Sequence, residues 1–272
     1  MKKHGTTVLL IIIFIVGMVL LLYPTLSNWW NEQHQSRAIA SYSETIEKLD
    51  KSKIDEFITG AREFNQIIKS KRGLPSLTED EMKIYNSVLD ITNTGVMAYI
   101  EIPTIDVSLP VYHSVSDDVL QVAVGHIEWS SLPIGGESTH CVLSGHRGLP
   151  SAKLFTNLDR LVIGDIFMLH ILDTTITYQV DQVLIVEPED ISTLKIDEGK
   201  DLCTLVTCTP YGINSHRLLV RGTRIDNIEE APVINVISEA GQIDPLIIAP
   251  IVATPLLLML LIYVLVKYRK KK

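Results

Sequence analysis

The chain has 272 residues, of which 46% are hydrophobic, and a formal net charge of -8. This is enough for one or two folded domains once its two apolar ends are set aside. Residues 24–245 hold 17 of the 24 basic residues and all 32 acidic residues, so this central part has a net charge of 17 minus 32, or -15. Such an acidic surface argues against nucleic acid as a partner, because phosphates recruit basic patches.

The first predicted element is an apolar run, Val8–Tyr23, preceded by Lys2 and Lys3. Its length is close to the roughly 20 residues that a membrane-spanning helix needs. A cleaved secretory signal peptide is the alternative interpretation, but no good small-x-small cleavage site precedes the bulky Trp29. We therefore predict an uncleaved transmembrane anchor over residues 1–28.

A second apolar run lies near the C-terminus and is followed by a cluster of basic residues. Basic clusters that flank membrane spans lie in the cytoplasm, so the two end clusters predict a hairpin topology in the lipid bilayer. The segment between the two spans is then extracellular. After the anchor, the predicted divisions are a helical region over 29–94, a β-barrel over 95–228, a linker over 229–245, a transmembrane helix over 246–266 and a basic cytoplasmic tail over 267–272.

The region before the barrel has the pattern of helices. Apolar residues recur at three- and four-residue steps from residue 33 to about residue 69, and Gly73 and Pro75 are expected to end this helical stripe. Thr78 and Glu81 form a capping-box signature for a second helix that reaches about Leu89. We expect these helices to cover or support the next domain without a direct part in chemistry.

From residue 96 onward, short β-rich runs alternate with turn residues. Two short helices are expected among them, near Asp118–Ala123 and Lys153–Leu158. Many short strands within about 130 residues predict a mainly β fold, either a barrel or a sandwich. The predicted strands are Val96–Ile102, Val107–Tyr112, Thr139–Ser144, Ile166–Leu172, Thr175–Val186, Leu202–Thr207 and Arg217–Arg221.

Three cysteines, Cys141, Cys203 and Cys208, lie in the part predicted to face an oxidising compartment, where an odd count indicates a free thiol. If Cys203 and Cys208 share one extended strand, five steps of about 3.3 Å separate their Cα atoms by about 17 Å. A disulfide needs Cα atoms within about 7 Å, so a bridge between these two is excluded on that strand. We interpret Cys141 and Cys203 as small buried hydrophobic residues.

The segment that follows Cys208 has the pattern of a β-hairpin. A β-rich run ends at this cysteine, Pro210 and Gly212 mark a turn, and a second β-rich run follows. If the hairpin is symmetric about the bond after Gly212, Cys208 pairs directly with Arg217, with their Cβ atoms about 4.5–5.5 Å apart. A guanidinium at that position reaches both the thiolate and the group that the thiolate attacks.

Two other arginines compete for this position. Arg221 is expected on the same face as Arg217 but about 13 Å further along the strand, and Arg224 on the opposite face. Arg217 is therefore the best placed of the three. A β-bulge in the hairpin would shift the register and change this ranking.

A cysteine nucleophile needs a cation or a base beside it, because an unperturbed thiol with a pKa of about 8.5 is mostly protonated at neutral pH. Among eight histidines, His146 has the most suggestive setting, since a β-rich run breaks there into glycines that free the backbone to expose the ring. Four others are less suitable because they lie outside the barrel, within a strand or on the wrong face: His4, His34, His170 and His216. The pattern leaves His113, His126 and His140 open.

These motifs resemble those of a known family. The run Thr-Leu-Val-Thr-Cys that ends at Cys208, the arginine nine residues later and the upstream Gly-His pair are similar to the signature of the sortases. The longer stretch Thr207–Gly222 and the segment Ser131–Gly136 resemble the class C, pilus-assembling branch, as does a C-terminal membrane span. The resemblance covers roughly Val96–Arg224.

The resemblance implies an eight-stranded β-barrel cysteine transpeptidase that cleaves a Leu-Pro-x-Thr-Gly-like sorting signal between Thr and Gly. It implies that Cys208 forms a thioacyl enzyme, that His146 is the general acid and base, and that Arg217 holds the oxyanion. Ser144 and Thr207 are the expected substrate-binding residues. The implied partners are pilins or surface proteins that carry a C-terminal sorting signal, and in pilus-type enzymes a pilin lysine is the accepting amine. These steps need neither a metal nor an organic cofactor.

One departure from the class C pattern concerns the lid, a loop before the barrel that carries an Asp-Pro-aromatic anchor. The segment Arg72–Asn93 holds no such motif, and the Asp244-Pro245 pair lies instead at the second apolar run. Either the site is open or another element gates it. Two alternative functions also stay open, a housekeeping sortase that attaches proteins to the cell wall and a non-catalytic membrane-tethered scaffold.

Overall fold

The computed structural model describes residues 2–71 and 77–227 and, near the C-terminus, residues 253–255, 258, 259, 262 and 263. The chain divides into two compact units, one formed by Asn31–Ala231 and the other by Met1–Trp30 with Pro232–Lys272. Several predicted features lie outside the described residues: the helix-ending Gly73 and Pro75, the linker over 229–245, most of the second apolar run and the basic tail.

The first helix, α1 (Lys2–Lys48), contains the apolar run at the N-terminus. Its apolar window has a mean hydropathy of 2.1 and is not buried within the protein. Among the described residues this is the one helix long and apolar enough to cross a membrane. Its length and composition are those of a membrane anchor or of a signal sequence.

The helical stripe predicted before the barrel consists of two helices. The second helix, α2 (Lys51–Ser70), begins after Asp50, whose carboxylate accepts a hydrogen bond from the amide of Lys53 at 2.9 Å. This side-chain cap starts a new helix because it satisfies an amide that has no partner within the helix. The predicted apolar stripe is confirmed by four of its residues, which are fully or almost fully buried: Tyr42, Ala61, Phe64 and Ile68.

A third helix, α3 (Glu79–Ser87), confirms the predicted capping box. The Thr78 hydroxyl accepts a hydrogen bond from the Glu81 amide, and the Glu81 carboxylate accepts one from the Thr78 amide. The buried ring of Tyr85 then packs 5.6 Å from that of Phe64 on α2. Both helices thereby join the main apolar core of the barrel.

The described residues form eight strands: β1 Val96–Ile102, β2 Val107–His113, β3 Val124–His126, β4 Thr139–Ser144, β5 Ile166–Ile171, β6 Thr174–Val186, β7 Asp201–Thr209 and β8 His216–Ile225. They close into a barrel in the order β1-β2-β3-β4-β7-β8-β6-β5, which confirms the predicted eight-stranded barrel. Neighbouring strands are parallel for the pairs β2–β3 and β4–β7 and antiparallel elsewhere.

Three short elements differ from the predictions. Strand β3 was not predicted, because three residues are too few to show an alternating pattern. The helix expected near Asp118–Ala123 is the single turn α4 (Asp117–Leu120). The helix expected over Lys153–Leu158 is a set of turns that ends in the 3-10 helix Leu158–Arg160.

Strands β4, β7 and β8 separate two apolar layers. Their inward side chains belong to the main core, as Cys141, Cys203 and Val220 do. Their outward side chains meet the β6–β7 connection and form what we call the outer apolar cluster, whose buried members are Val142, Leu194, Val206 and Leu219. The faces alternate along each strand, as the twofold repeat of a β-strand requires.

The segment Ser131–Gly136 makes structural contacts to the start of β7 and to α2. The Gly136 amide donates to the Asp201 carboxylate at 2.8 Å, and the Leu132 amide donates to the Asn65 side chain at 2.7 Å. The Tyr178 hydroxyl donates to the same Asp201 carboxylate at 2.9 Å. This segment therefore fixes β7 to the rest of the barrel at the end opposite Cys208.

Candidate active site

The β7–β8 hairpin has the register predicted from the sequence. Cys208 pairs directly with Arg217, and Thr209 pairs with His216 next to the hairpin turn. The turn between the strands is closed by hydrogen bonds from the amides of Ile213 and Asn214 to the Pro210 carbonyl. No bulge interrupts the β7–β8 ladder, so the opposed positions place the thiol and the guanidinium on one face.

The Arg217 guanidinium folds back toward the turn. Its Nη1 atom donates to the carbonyl oxygens of Asn214 and His216 at 3.3 and 3.2 Å. Within the described part of the chain no carboxylate pairs with this guanidinium. Its charge is thus held beside the hairpin end without a neutralising partner there.

Strand β4 brings His146 toward the same place. The parallel register of β4 and β7 ends with Ser144 opposite Val206, and the Gly145 amide continues the ladder by donating to the Val206 carbonyl at 3.0 Å. Carried two residues beyond its last pair, this register aligns His146 with Cys208. Strand β7 lies between β4 and β8, so His146, two residues past the end of β4, and the opposed Cys208 and Arg217 lie at the same end of three neighbouring strands. We call these three positions the row.

This row lies on the outward face of the barrel. Cys208 lies two positions after Val206 on β7, and Arg217 lies two positions before Leu219 on β8. Both Val206 and Leu219 belong to the outer apolar cluster. Because alternate residues share a face, the two side chains point outward like their neighbours. The outer apolar cluster therefore lies directly beside the row.

The three cysteines differ sharply in burial. Cys141 and Cys203 are 2% and 0% exposed, whereas Cys208 is half-buried, and all three are free thiols. Burial raises the pKa of the Cys203 thiol well above its ordinary value, so this thiol stays protonated. The interpretation of Cys141 and Cys203 as buried small residues is confirmed, as is the absence of a Cys203–Cys208 bridge.

The three histidines that the sequence pattern did not exclude make structural contacts in the protein. His113 lies 2.8 Å from the Val88 carbonyl oxygen, His126 lies 3.1 Å from the Tyr85 hydroxyl, and His140 lies 2.7 Å from the Thr204 hydroxyl. All three are buried, and burial lowers the pKa of both His113 and His140. His146 is half-buried and follows the end of β4.

Arg221 has a different arrangement from Arg217. Its guanidinium donates two hydrogen bonds to the Asp181 carboxylate, at 3.0 and 2.9 Å. Asp181 itself lies at an irregularity in the β6–β8 register, between Val180 and Gln182. Arg221 therefore holds a β-bulge in place, and the arginine ranking from the sequence is consistent with these contacts.

The structure separates the two expected substrate-binding residues. Thr207 is 2% exposed, and its hydroxyl donates inward to the Gly145 carbonyl at 2.7 Å. Thr207 therefore links β7 to the segment before His146, and its expected part in substrate binding stays a prediction. Ser144 is half-buried on the outward face opposite Val206.

The glycine before His146 has a different purpose from the one expected. A Cβ atom on Gly145 would lie 2.7 Å from the ring of Phe155, so close packing rather than backbone freedom requires glycine there. Gly148 does need its freedom, since its φ is +76°. No pattern in the sequence singled out Arg147, which lies between these glycines and contacts both β7 and the hairpin turn.

Such a row of side chains suits acyl transfer. A partly exposed thiol is accessible to a carbonyl carbon, an adjacent imidazole is able to move a proton to and from sulfur or nitrogen, and a guanidinium is a strong donor to a developing oxyanion. A buried thiol such as Cys203 offers none of these features.

Comparison with known proteins gives a consistent result. Residues 100–225 match the sortase domain family. The structure of sortase C1 from Streptococcus agalactiae is 51% identical, with a TM-score of 0.69 over 71% of this chain and 100% of that chain. Sortase C from Streptococcus pneumoniae is 43% identical, with a TM-score of 0.62 over 70% of this chain and 97% of its own.

A third similar structure is that of Clostridium perfringens sortase C with the C-terminal cell wall sorting motif. It is 42% identical, with a TM-score of 0.63 over 71% of this chain and 100% of that chain. All three resemble the class C branch that the motifs around Cys208 indicated. The chain therefore belongs to the sortase family of cysteine transpeptidases, and it is similar to the class C sortases in particular.

Proposed function

We propose that this protein joins pilin subunits outside the cell. It cleaves a Leu-Pro-x-Thr-Gly-like sorting signal between Thr and Gly and transfers the new Thr carboxyl to a lysine amine of another pilin. The observation that supports this most strongly is the row formed by His146, Cys208 and Arg217 at the ends of three neighbouring strands.

In the first step the Cys208 thiolate attacks the Thr carbonyl carbon. A sulfur–carbon bond forms, and the Thr-Gly carbon–nitrogen bond breaks when the nitrogen takes a proton from His146. The product is a thioacyl enzyme and a free amino-terminal Gly peptide. The half-buried position of Cys208 suits this step because the thiol has a path to the substrate.

In the second step the lysine amine attacks the thioester carbonyl carbon. His146 accepts a proton from the amine, an isopeptide bond forms, and the sulfur–carbon bond breaks to regenerate Cys208. Arg217 stabilises the oxyanion in both steps, and its lack of a carboxylate partner among the described residues leaves its charge available for this purpose.

The edge of the outer apolar cluster, where partly buried residues such as Val186 and Ile191 pack against its four buried members, is a suitable surface for the Leu-Pro part of a sorting signal. It lies beside Cys208, with Val206 two residues before the thiol on the same face of β7. Half-buried Ser144, opposite Val206, is a candidate polar contact at its edge. The similar Clostridium perfringens enzyme has been crystallised with a cell wall sorting motif, and work on the Streptococcus pneumoniae enzyme concerns pilin substrate specificity.

We further propose that the protein is anchored in the cell membrane by two spans with the barrel outside. The apolar part of α1 supports the first span. The second proposed span, over residues 246–266, rests on its apolar composition and on the basic cluster after it. The barrel, the linker and the basic tail keep the boundaries proposed above.

The experiment that tests this function supplies two competing amines. The purified full-length protein is incubated with a sorting-signal pilin and, in parallel, with the same pilin plus a wall-precursor amine. A ladder of covalent pilin polymers is expected. Transfer to the wall-precursor amine alone would favour a housekeeping sortase, and the absence of any product in both reactions would favour a non-catalytic scaffold.

A further inference from the structure

A buried arginine next to the candidate histidine has contacts that the proposed chemistry does not use. The side chain of Arg147 is only 9% exposed, and its Nη2 atom forms an ion pair with Asp159. Its Nη1 atom donates to the Thr209 hydroxyl at 3.3 Å, and its guanidinium carbon lies 5.8 Å from the centre of the Tyr211 ring. One side chain therefore contacts three separate segments.

Two of these segments, those of Thr209 and Tyr211, border the row of His146, Cys208 and Arg217. Arg147 is bonded in the chain to His146, Thr209 is bonded to Cys208, and Tyr211 belongs to the turn that leads to β8. The register aligns His146 with Cys208 only by continuing past the last β4–β7 pair, where the regular ladder has ended. Beyond that pair the His146 segment is held by individual contacts, one of which is the hydrogen bond from the Phe155 amide to the His146 carbonyl at 3.1 Å.

The burial of this guanidinium indicates a geometric purpose. Among the described residues its Nε atom is buried and has no hydrogen-bond partner. An arginine that is buried and incompletely paired contributes little to stability, because its desolvation offsets much of its attraction to a carboxylate. An apolar side chain of similar size would fill the same space with a smaller desolvation free energy. The planar guanidinium fork, by contrast, is able to fix the relative positions of several partners.

We propose that Arg147 is a positioning residue that holds the His146 segment against the end of β7 and thereby sets the separation of His146 from Cys208. The inference rests on the proposed catalytic roles of these two residues. We call Arg147 and its three contacts, Asp159, Thr209 and Tyr211, the clamp. The Tyr211 ring covers the guanidinium and also the backbone of Gly148, where an added Cβ atom would lie 3.2 Å from the ring.

The test measures the alkylation of Cys208 by iodoacetamide as a function of pH, with the full-length protein in detergent and no substrate present. Cys141 and Cys203 are buried, so the rate reports on Cys208. Arg147→Met is expected to lower the rate at neutral pH by about 10-fold and to move the pH profile in the same direction as His146→Ala, since small displacements of reacting groups have large effects on rate.

The decisive comparison is a double-mutant cycle. If Arg147 acts through His146, Arg147→Met changes the alkylation rate by less than about 2-fold when His146 is already alanine. A further loss of about 10-fold in that background would overturn the inference. So would a wild-type pH profile in Arg147→Met, even with a lowered Tm, because that result would make Arg147 a structural tether only.

Two more variants keep the test decisive. Arg221→Met removes another arginine–aspartate pair from the same face, at Asp181, and is expected to leave the profile unchanged. Asp159→Asn weakens one arm of the clamp and is expected to give a shift of about 3-fold in the direction of Arg147→Met. If Arg147→Met does not fold, a wild-type profile in Asp159→Asn overturns the inference.

Failure of the proposed function gives a different result. If His146→Ala leaves both the alkylation profile and pilin polymerisation unchanged, the catalytic role of His146 is wrong and the positioning role of Arg147 is wrong with it. If His146→Ala changes both and Arg147→Met changes neither, the inference about Arg147 alone is wrong. Arg147→Lys keeps the positive charge and is expected to rescue part of the activity, with a higher kcat than Arg147→Met at a similar KM.

Discussion

Cysteines on the inner and outer faces of the sheet formed by β4, β7 and β8 differ in burial and in availability for chemistry. Cys203 and Cys208 lie on one strand, five residues apart, and therefore on opposite faces. Cys203 is enclosed in the barrel core with a raised pKa, while Cys208 is partly exposed beside an arginine. The face of the strand thus decides which thiol is available for chemistry.

The two faces are also coupled, because inward contacts position the outward residues. The Thr207 hydroxyl donates to the Gly145 carbonyl on the inner side, one residue before Cys208 on β7 and one residue before His146. The Phe155 ring presses against Gly145 from the same side. A change on the inner face is therefore expected to alter chemistry on the outer face, even though it removes no outward side chain.

The largest expected effect on activity is that of replacing Cys208 rather than either buried cysteine. Cys208→Ala abolishes pilin polymerisation and thioacyl formation, because no other described thiol is accessible. Cys141→Ala and Cys203→Ala retain most of the activity and lose only packing in the core. Polymer formation is followed by gel electrophoresis. Residual polymerisation by Cys208→Ala would rule out the covalent mechanism.

The next effect distinguishes the two outward arginines on β8. Arg217→Ala is expected to lower kcat by about 100-fold, as the loss of an oxyanion donor typically does. Arg221→Ala is the matched control and is expected to lose stability through the Asp181 pair while retaining its kcat. Steady-state kinetics with a sorting-signal peptide measures both. A large loss in Arg221→Ala with none in Arg217→Ala would reverse the assignment.

A smaller effect tests the coupling between the faces. Gly145→Ala places a Cβ atom 2.7 Å from the Phe155 ring and is expected to destabilise the protein by about 1–3 kcal/mol through overpacking. Adding Phe155→Leu relieves the contact and should restore part of both stability and activity. Chemical unfolding measures the stability. Equal losses in the single and double variants would show that this contact does not position His146.

The smallest expected effect concerns pH. Burial, aided by the charge of Arg221, lowers the pKa of His140 below its ordinary value of 6.5, and burial lowers that of His113. Between the folded and unfolded pKa values the unfolded chain binds more protons, so stability is full above about pH 6.5 and decreases as pH falls below it. His140→Gln should reduce this slope. Thermal unfolding between pH 5 and 7.5 measures it, and an unchanged slope would exclude His140 as a contributor.

Much of the fold follows from local patterns in the sequence. Strands β1 and β4 begin and end as predicted, and the hairpin register that pairs Cys208 with Arg217 follows from the positions of Pro210 and Gly212. These features depend on residues close to each other in the chain. Turn chemistry and strand alternation are sufficient to specify them.

Features set by distant contacts were not predictable in this way. Strand β3 has three residues, and its pairing with β2 and β4 is decided by the barrel rather than by its own sequence. The alignment of His146 with Cys208 depends on the parallel β4–β7 register, which no local motif encodes. The inward direction of the Thr207 hydroxyl follows from that register as well, so the sequence alone did not predict its contact with Gly145.

The central claim, that Cys208 on the outward face is the acyl acceptor, is tested most directly by mapping a trapped intermediate. The full-length protein is incubated with a Leu-Pro-x-Thr-Gly peptide in the absence of an accepting amine, quenched in acid and digested for mass spectrometry. We predict the mass of the Leu-Pro-x-Thr acyl group on the peptide that contains Cys208. An adduct on Cys141 or Cys203, or an unmodified Cys208 while the peptide is cleaved, would contradict the account.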